Sequence, residues 1–388
     1  MYPNLYYALK DLFGIDIPFF KVINSFGFFV ALSFLAAAWL LIKELKRKQA
    51  LGEFTYVETT VQVGKPATTS EIIINFLLGF FLGYKILGVL FVQGALNDPQ
   101  AFIFSKEGSW PAGLVLGLFF GGLKWWEKNK NKLPKPEERK IRIWPSDRVG
   151  DFTIISAVAG FIGAKIFDNL ENWNRFIQDP IDNLLSPSGL TFYGGLIFAI
   201  VALWYYCHKR NISFIRLADA TSPSLMLAYG IGRIGCQVAG DGDWGIVNLR
   251  SKPFGWIPDW LWAYDYPHNV NKEGVPIPNC TWADYCYHLQ APVFPTPLYE
   301  IIMALLLFAF LWSIRKKVKI TGRLFAIYLI VNGIERFLIE HIRVNTKYDI
   351  FGFHPTQAEI ISSFLIIFGI ILYIYAPKIW SSNKAVAQ

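Results

Sequence analysis

The sequence contains a stripe of charged side chains within an apolar segment, in the stretch NGIERFLIEHIR. Asn332, Arg336, Glu340 and Arg343 recur at intervals of three or four residues, which places them along one face of a helix. Arg336 and Glu340 are spaced to pair, and Glu340 can also reach Arg343. Because a charge inside a membrane segment is costly unless it is paired or faces a polar cavity, this stripe predicts a buried group of ion pairs.

A second charged position lies in GRIGCQVAGDGDWG. Arg233 is spaced by four residues from both Tyr229 and Gln237, and Gly232 and Gly235 would let a backbone or a lipid head group approach it closely. A guanidinium group matches the geometry of a phosphate through two parallel hydrogen bonds. Arginines converging from two helices therefore predict a phosphate clamp, and the alternative is an ion-pair network that only fixes helix packing.

The composition predicts membrane helices as the elements that position these residues. The chain has 388 residues, of which 53% are hydrophobic and 17% charged, whereas an ordinary soluble domain has about 25% charged residues. Its apolar blocks approach the length of about 20 residues that spans a bilayer. We expect an all-α polytopic bundle, a single transmembrane domain over residues 1–388. The nine predicted spans are 21–42, 72–93, 110–126, 150–168, 189–206, 217–238, 297–314, 323–342 and 357–376.

Basic loops predict the orientation of this bundle. When alternate loops are assigned to opposite sides, most of the 37 Lys and Arg residues fall on one side, together with the C-terminal tail. The positive-inside rule then places the N-terminus outside the cytoplasm and the C-terminus within it. The net charge of +8 is thus explained by topology and anionic lipid, and a nucleic-acid partner is not expected.

Two helical hairpins resemble each other along the chain. LGYKI and IGAKI each place Gly-x-Lys-Ile inside a span, before a polar loop and a second glycine-rich span. Residues 72–126 are therefore interpreted as an inserted hairpin and a possible degenerate repeat of 150–206. Glycine-rich hairpins also resemble one another without duplication. Lys165 in the second hairpin is a candidate partner for a carboxylate or a lipid phosphate.

The long loop 240–296 is rich in Trp, Tyr and Pro, which suits a cap at the outer membrane–water interface. Because that compartment permits disulfides, Cys280 and Cys286 are a possible pair, and two free thiols are the alternative. The cysteine spacing suggests no metal site. Upstream, Tyr193 precedes Gly194 at the boundary of a span. A tyrosine at such a boundary is usually an interfacial anchor, and a catalytic role is the alternative.

Taken in order, these motifs resemble the bacterial prolipoprotein diacylglyceryl transferase family. The signature Gly-Arg-x-Gly-Asn-Phe-x-Asn-Gly-Glu is similar to GRIGC…GD…WG, Ser-Phe-His-Gly-Gly-Leu to LTFYGGLIF, and His-Pro-Thr-Gln-Leu-Tyr-Glu to FPTPLYE. Phe-Arg-x-x-x-Glu-x-x-Arg is similar to ERFLIEHIR, and LADATSP and TQAEIIS also match. The resemblance covers residues 21–48 and 150–376, and it implies seven family helices with two more inserted.

The resemblance implies a membrane enzyme of lipoprotein maturation. The family transfers a diacylglyceryl group from phosphatidylglycerol to the lipobox cysteine of a prolipoprotein, forms a thioether and releases glycerol phosphate. The expected location is the bacterial cytoplasmic (inner) membrane, and the expected partners are phosphatidylglycerol, the signal peptide with its lipobox, and membrane lipids. No cofactor and no metal are implied.

The family's functional residues carry over to positions in this sequence. Arg233 and Arg336 match its essential arginines, Glu340 its paired glutamate, and Asp241 its signature glutamate, although Asp243 is also a candidate. The proposed catalytic residues are Arg233, Arg336, Tyr193, Glu340 and Asp241. The proposed substrate-binding residues are Gly194, Gly195, Gly232, Gly235, Cys236, Gln237, Asp243, Arg343 and Lys165.

Three positions depart from the family pattern. Phe26, Tyr193 and Cys236 stand where the family has Tyr, His and Asn, so the usual candidate base is missing. Either the Tyr193 hydroxyl substitutes for it, or the field of the arginines suffices, or the activity is lost or changed. A protein that binds or transports anionic lipid without turnover, or a relative with another lipid donor or acceptor, is the alternative function.

Overall fold

The computed structural model describes residues 1–96, 99–186, 189–282, 284–349 and 352–380, and most of them are helical. Nine helices of 17 to 26 residues within these ranges coincide with the predicted spans. The helices are α1 (Leu5–Phe13), α2 (Ser25–Ala50), α3 (Thr69–Lys85), α4 (Pro99–Phe104), α5 (Trp110–Lys130), α6 (Val149–Glu171), α7 (Trp173–Gln178), α8 (Pro180–Leu185), α9 (Phe192–Lys209), α10 (Phe214–Ala239), α11 (Asp259–Trp262), α12 (Thr296–Ile314), α13 (Arg323–Glu340) and α14 (Gln357–Trp380).

Five segments of the described chain are long and apolar enough to cross a membrane, and they make this a multi-pass membrane protein. They are Ser25–Ala50, Thr69–Leu90, Pro145–Glu171, Thr296–Ile314 and Gln357–Trp380. The count of nine crossings and the orientation of the termini stay predictions.

Helix α10 is the central element of the bundle, because it packs against α2, α12 and α13. Small residues bring its neighbours close: a Cβ added at Gly235 would lie 3.1 Å from the side chain of Phe29 in α2, and one at Gly230 would lie 3.3 Å from Ala304 in α12. In a bilayer, helices associate through such close packing rather than through burial of apolar surface. Helix α13 in turn packs along α14.

Two paired strands flank the predicted inserted hairpin 72–126, in a chain that is otherwise mostly helical, as the all-α expectation requires. Strand β1 (Val57–Val63) pairs antiparallel with β2 (Glu137–Ile143), so that Val57 lies opposite Ile143 and Val63 opposite Glu137. The β-branched residues of VETTVQV favour an extended strand, but its partner EERKIRI is charged enough to resemble a loop. The pairing brings the two ends of the insertion side by side.

The hairpins α3–α5 and α6–α9 are both held together by glycine. A Cβ at Gly83 would lie 2.2 Å from the carbonyl oxygen of Ala112, and a Cβ at Gly163 would lie 2.5 Å from that of Gly194. Contacts this short exclude any side chain, so both helix pairs meet backbone to backbone. That residues 72–126 are a degenerate repeat of residues 150–206 stays a prediction, which the similar glycine contacts in the two hairpins favour.

A buried lysine follows each of these close contacts. Lys85 donates from Nζ to the carbonyl oxygens of Ser105 at 2.5 Å and Glu107 at 2.6 Å. Lys165 donates from Nζ to Ser186 Oγ at 3.2 Å. Each ammonium group thereby connects its span to the segment that follows, and the acceptors of Lys85 are backbone carbonyl oxygens.

The segment 240–296, predicted to be a cap, connects α10 to α12 and is described except at residue 283. It carries α11 and a short antiparallel pair, β3 (Val275–Pro276) with β4 (Tyr287–His288). A disulfide joins Cys280 to Cys286, with Cα atoms 5.6 Å apart. The Trp282 ring, inside the loop closed by this disulfide, stacks on Tyr7 of α1 with ring centres 4.6 Å apart. The N-terminal helix and the cap therefore form one layer.

Candidate functional site

Three arginines from two parts of the chain surround one buried carboxylate, Glu300. The Arg233 Nε atom of α10 lies 3.1 Å from Glu300 Oε2, and Arg336 Nη1 of α13 lies 3.2 Å from Oε1. Arg343, just after α13, approaches Oε2 to 3.6 Å. The Glu300 side chain is 0% exposed. This group of residues, Arg233, Arg336, Arg343 and Glu300, is called the arginine cluster below.

Asp243 closes the cluster from the loop that follows α10. It accepts hydrogen bonds from Arg233 Nη1 and, at 2.6 Å, from Arg343 Nη2. Its carbonyl oxygen accepts from Thr296 Oγ1 at 2.6 Å, which fixes the loop to the start of α12. Burial acts to raise the pKa of Asp243, but the two arginines outweigh it and hold that pKa below its usual value.

The position of Asp241 differs from that of Asp243. Its Oδ1 atom accepts from the backbone N–H of Asp243 at 3.3 Å, and burial and the charge of Asp243 raise its pKa. Of the two aspartates, Asp243 is the one that pairs with the arginines. The geometry thus favours Asp243 over Asp241 as the counterpart of the signature glutamate.

Glu340 holds Arg336 from the last turn of α13. Its Oε2 atom lies 3.0 Å from Arg336 Nη2, as the spacing of four residues predicts, and its Oε1 atom accepts from Asn345 Nδ2 at 2.5 Å. Glu340 does not form the expected ion pair with Arg343, because the Arg343 side chain pairs with Asp243 and Glu300 instead.

Tyr193, in the first turn of α9, reaches the same site. Its hydroxyl group is within hydrogen-bonding reach of Arg336, and its ring lies near the charges of Glu340 and Arg343. The side chain is only partly buried. It is therefore placed where it can contact a bound molecule as well as the cluster.

The glycines proposed for substrate binding divide into two groups. A Cβ at Gly194 would lie 2.3 Å from Phe167 Cβ, and one at Gly195 would lie 2.9 Å from the Gly160 carbonyl, so both serve the packing of α9 on α6. Gly235 serves the packing of α10 on α2. Only Gly232, of the four, has no atom within 4 Å of an added Cβ. The open space beside Arg233 is at Gly232.

The remaining candidates lie around the cluster or apart from it. Gln237 accepts from the Tyr266 hydroxyl at 2.9 Å and so connects α10 to the cap. Cys236 is a buried free thiol, 3.8 Å from Arg233 Nη1. Lys165 lies in α6 and donates to Ser186.

Two acidic residues of the site were not singled out from the sequence. Glu300 ends the motif FPTPLYE, and the residues that follow it, IIMALLLFAFLWSI, contain no charge. An acid at the start of such a span must find partners, which is the signal that could have identified it. Glu335, beside Arg336 in the sequence, is 3% exposed and equally unexpected.

One group of potential metal ligands lies within the described part of the chain. Donor atoms of Cys236, Asp241 and Asp243 lie within 4.8 Å of one another. Asp243 already neutralises Arg233 and Arg343, so a dication there would face two guanidinium groups. The trio is better explained as part of the ion-pair network than as a metal site.

The chemistry available at this site is the binding of an anion. Three guanidinium groups are held in fixed positions by the carboxylates of Glu300, Glu340 and Asp243, and the space at Gly232 lets a ligand approach Arg233. Preorganised cations in surroundings of low dielectric stabilise negative charge that develops on a bound group. The arrangement suits a phosphate ester more than a neutral ligand.

Comparison with known proteins gives one family. The sequence model of prolipoprotein diacylglyceryl transferase matches residues 112–375. Among similar proteins, the phosphatidylglycerol–prolipoprotein diacylglyceryl transferase of Leptospira interrogans is 29% identical over 276 residues, 64% of this chain and 77% of the relative. The enzyme of that name from Staphylococcus haemolyticus is 30% identical over 253 residues, 62% of this chain and 81% of its own.

The family match includes every residue of the arginine cluster. It begins within α5, so that α2 and α3 precede it, and it ends within α14. Because this match spans well over half of the sequence, the chain belongs to the prolipoprotein diacylglyceryl transferase family.

Proposed function

We propose that this protein transfers a diacylglyceryl group from phosphatidylglycerol to a prolipoprotein, and so carries out a step of lipoprotein maturation. The observation that carries the proposal is the arginine cluster, an anion site at the end of α10 and α13. Relatives from several bacteria bear the name of this enzyme.

The arginines act on the phosphate of the lipid. Arg233 and Arg336 bind its non-bridging oxygens, and the bond between the glyceryl carbon and the phosphate oxygen breaks as negative charge builds on the leaving glycerol phosphate. Glu300, Glu340 and Asp243 hold the guanidinium groups in place beforehand, so little reorganisation is needed as the charge develops.

The acceptor is the thiol of the lipobox cysteine. Its sulfur forms a C–S bond with the glyceryl carbon while the C–O bond breaks, and its proton leaves so that the thiolate can attack. Tyr193, near Arg336, is placed to contact the incoming thiol. The proton goes either to Tyr193 in its phenolate form or, with the arginines stabilising the thiolate, to the departing glycerol phosphate, and the Tyr193→Phe variant distinguishes the two routes.

We propose that the site lies at the outer leaflet of the bacterial cytoplasmic membrane. The first turns of α9 and α12 meet the last turns of α10 and α13 there, under the cap, while the basic connection 315–319 lies at the opposite end of α12. This placement follows from the positive-inside rule. Lipid would enter sideways between α9, α10 and α13, and the peptide from the extracytoplasmic side.

The test is transfer to a peptide. Purified protein is incubated with phosphatidylglycerol and a lipobox peptide, and the peptide mass is measured. We expect a diacylglyceryl adduct that Arg233→Ala reduces by at least about a hundredfold, the effect of removing one group that stabilises developing charge. Arg142→Ala, an exposed arginine of β2, is the matched control and should leave transfer unchanged.

The other variants separate the remaining alternatives. An adduct that persists in Tyr193→Phe shows that the phenol is not the base, and a large loss at unchanged lipid affinity shows that it acts. No adduct from the wild type, with anionic lipid still bound, contradicts the transferase and favours a lipid-binding or transport protein.

A further inference from the structure

A second buried carboxyl group lies behind the arginine cluster. Glu335 of α13 is 3% exposed, and its Oε1 atom lies 3.3 Å from the hydroxyl oxygen of Tyr229 in α10. The same hydroxyl oxygen lies 3.0 Å from Glu300 Oε1. One phenol therefore bridges two carboxyl groups from α12 and α13.

The hydrogen-bond count requires a proton on one of these carboxyl groups. A phenol has a single O–H to donate, whereas an ionised carboxylate only accepts. If both carboxyl groups were ionised, Tyr229 could donate to only one, and the other would lose a hydrogen bond, which is costly for a buried group. If one carries a proton, it donates to the Tyr229 oxygen while Tyr229 donates to the other, and both contacts are satisfied.

The ion pairs identify Glu335 as the protonated group. Glu300 is within 4.0 Å of three arginines, so a negative charge on it is compensated. No cation lies within that distance of Glu335 in the part of the chain that the structure describes, and its buried Oε2 atom has no hydrogen-bond partner there. A buried carboxyl group without a cation is far more stable neutral than charged.

The charge of the site depends on that proton. The three arginines of the cluster face three ionised carboxylates, Glu300, Glu340 and Asp243, so this set is neutral. Ionisation of Glu335 would add one uncompensated negative charge, separated from Glu300 only by the Tyr229 hydroxyl group. An incoming phosphodiester anion would then meet a site that is already negative, in surroundings where charges are weakly screened.

We propose that Glu335 is a positioning residue that holds a proton behind the arginine cluster, through Tyr229, and thereby keeps the cluster able to accept an anionic phosphodiester lipid. As the pH rises and this proton is lost to solvent, affinity for the anion falls. The identity of the lipid rests on the proposed function, but the dependence of anion binding on Glu335 does not.

The groups that face Glu335 are accounted for on each neighbouring element. Helix α10 contributes Tyr229 and Arg233, α12 contributes Glu300, and α13 itself contributes Arg336 and Tyr328. Helix α14 approaches α13 at Gly333 through Ser362 and Ile366, and neither of these titrates. A pH dependence that disappears with Glu335 is thus assigned to Glu335 rather than to another carboxyl group.

The test compares Glu335→Gln with the wild type across pH, in the full-length protein without peptide. Glutamine keeps the shape and a donor for Tyr229 but cannot ionise. We measure the affinity for phosphatidylglycerol at intervals from about pH 6 to pH 9, a range over which the phosphodiester of the lipid stays anionic. The wild type should lose at least about tenfold in affinity over this range, and Glu335→Gln should keep the affinity that the wild type has at low pH.

Controls exclude general effects. Glu127→Gln, an exposed glutamate of α5, should follow the wild type, and zwitterionic phosphatidylcholine should bind independently of pH. If Glu335→Gln titrates like the wild type, or the wild type shows no loss, the inference is wrong. Infrared difference spectra of the wild type give a second readout: the C=O stretch of a protonated carboxylic acid should be present at neutral pH and absent from the variant.

The two proposals fail in different ways. A wild type that binds phosphatidylglycerol with this pH dependence but forms no peptide adduct contradicts the transferase and supports the role of Glu335. A wild type that forms the adduct but binds phosphatidylglycerol independently of pH supports the transferase and contradicts the role of Glu335.

Discussion

Glu300 is the side chain on which the positions of the three arginines depend most directly. It contacts Arg233, Arg336 and Arg343, and the Tyr229 hydroxyl also donates to it. Removing one partner of a buried ion pair typically costs about 3–5 kcal/mol, since the charge left behind is uncompensated. The arrangement of the site therefore depends on a carboxylate that need not touch the substrate.

We predict that Glu300→Ala lowers both stability and transfer. The variant should unfold at a clearly lower temperature, consistent with a loss of about 3–5 kcal/mol, and form less than about a hundredth of the wild-type adduct. Thermal unfolding in detergent and the peptide mass assay measure the two effects. Glu171→Ala, an exposed glutamate at the end of α6, should change neither by much, and a Glu300→Ala protein of full activity would show that the cluster does not need its central carboxylate.

The ion pairs of Asp243 should make a contribution to the stability of the folded protein that is lost in acid. Because its pKa is lower in the folded protein than in the unfolded chain, its ion pairs stabilise the fold fully above the unfolded value, near about pH 4. That contribution is lost as the pH falls through the lower folded value. Melting temperatures measured between about pH 3 and pH 7 should show a smaller acid-induced drop in Asp243→Asn than in the wild type. Equal drops would mean that Asp243 contributes nothing to acid sensitivity.

The sequence could predict local pairs but not the convergence of distant ones. The pairing of Arg336 with Glu340 follows from a spacing of four residues on one helix. The meeting of Arg233, Glu300 and Arg343 depends on how α10, α12 and α13 cross, and no spacing within one helix determines that. For the same reason Gly194 and Gly195 resembled substrate contacts, although their neighbours are residues of α6.

At the scale of elements, glycines determine which helices can touch. Alanine at Gly194 would place a Cβ 2.3 Å from Phe167 Cβ, whereas alanine at Gly232 would meet nothing within 4 Å. The first substitution overpacks the α6–α9 contact, and the second fills space next to Arg233.

These two glycines form a matched pair of variants. We predict that Gly194→Ala destabilises the protein by about 1–3 kcal/mol through overpacking. Gly232→Ala should leave stability nearly unchanged and raise the KM for phosphatidylglycerol, because it narrows the approach to the arginine. Thermal unfolding and steady-state transfer kinetics distinguish the two. The reverse pattern would show that the open space at Gly232 is not where the lipid approaches.

At the scale of the whole molecule, either α2 or α5 could be the first helix of the bundle that surrounds the site. The family match begins at residue 112 in α5, yet α5 packs against α3. Helix α2, which precedes the match, packs on α10. Gly235 of α10 lies against Phe26 and Phe29 of α2. The packing favours α2 as the first helix of the functional bundle, with α3 and α5 as an added hairpin whose ends are joined by β1 and β2.

Excising the hairpin tests this assignment. Val63 lies opposite Glu137, so residues 64–136 can be replaced by Asn-Gly, a pair that closes a two-residue turn between antiparallel strands. If α2 completes the bundle, the shortened protein should fold and form the peptide adduct within about twofold of the full-length rate, since the arginine cluster and α10 keep their contacts. A shortened protein that folds and binds lipid but no longer transfers would instead assign α5 a part in the reaction.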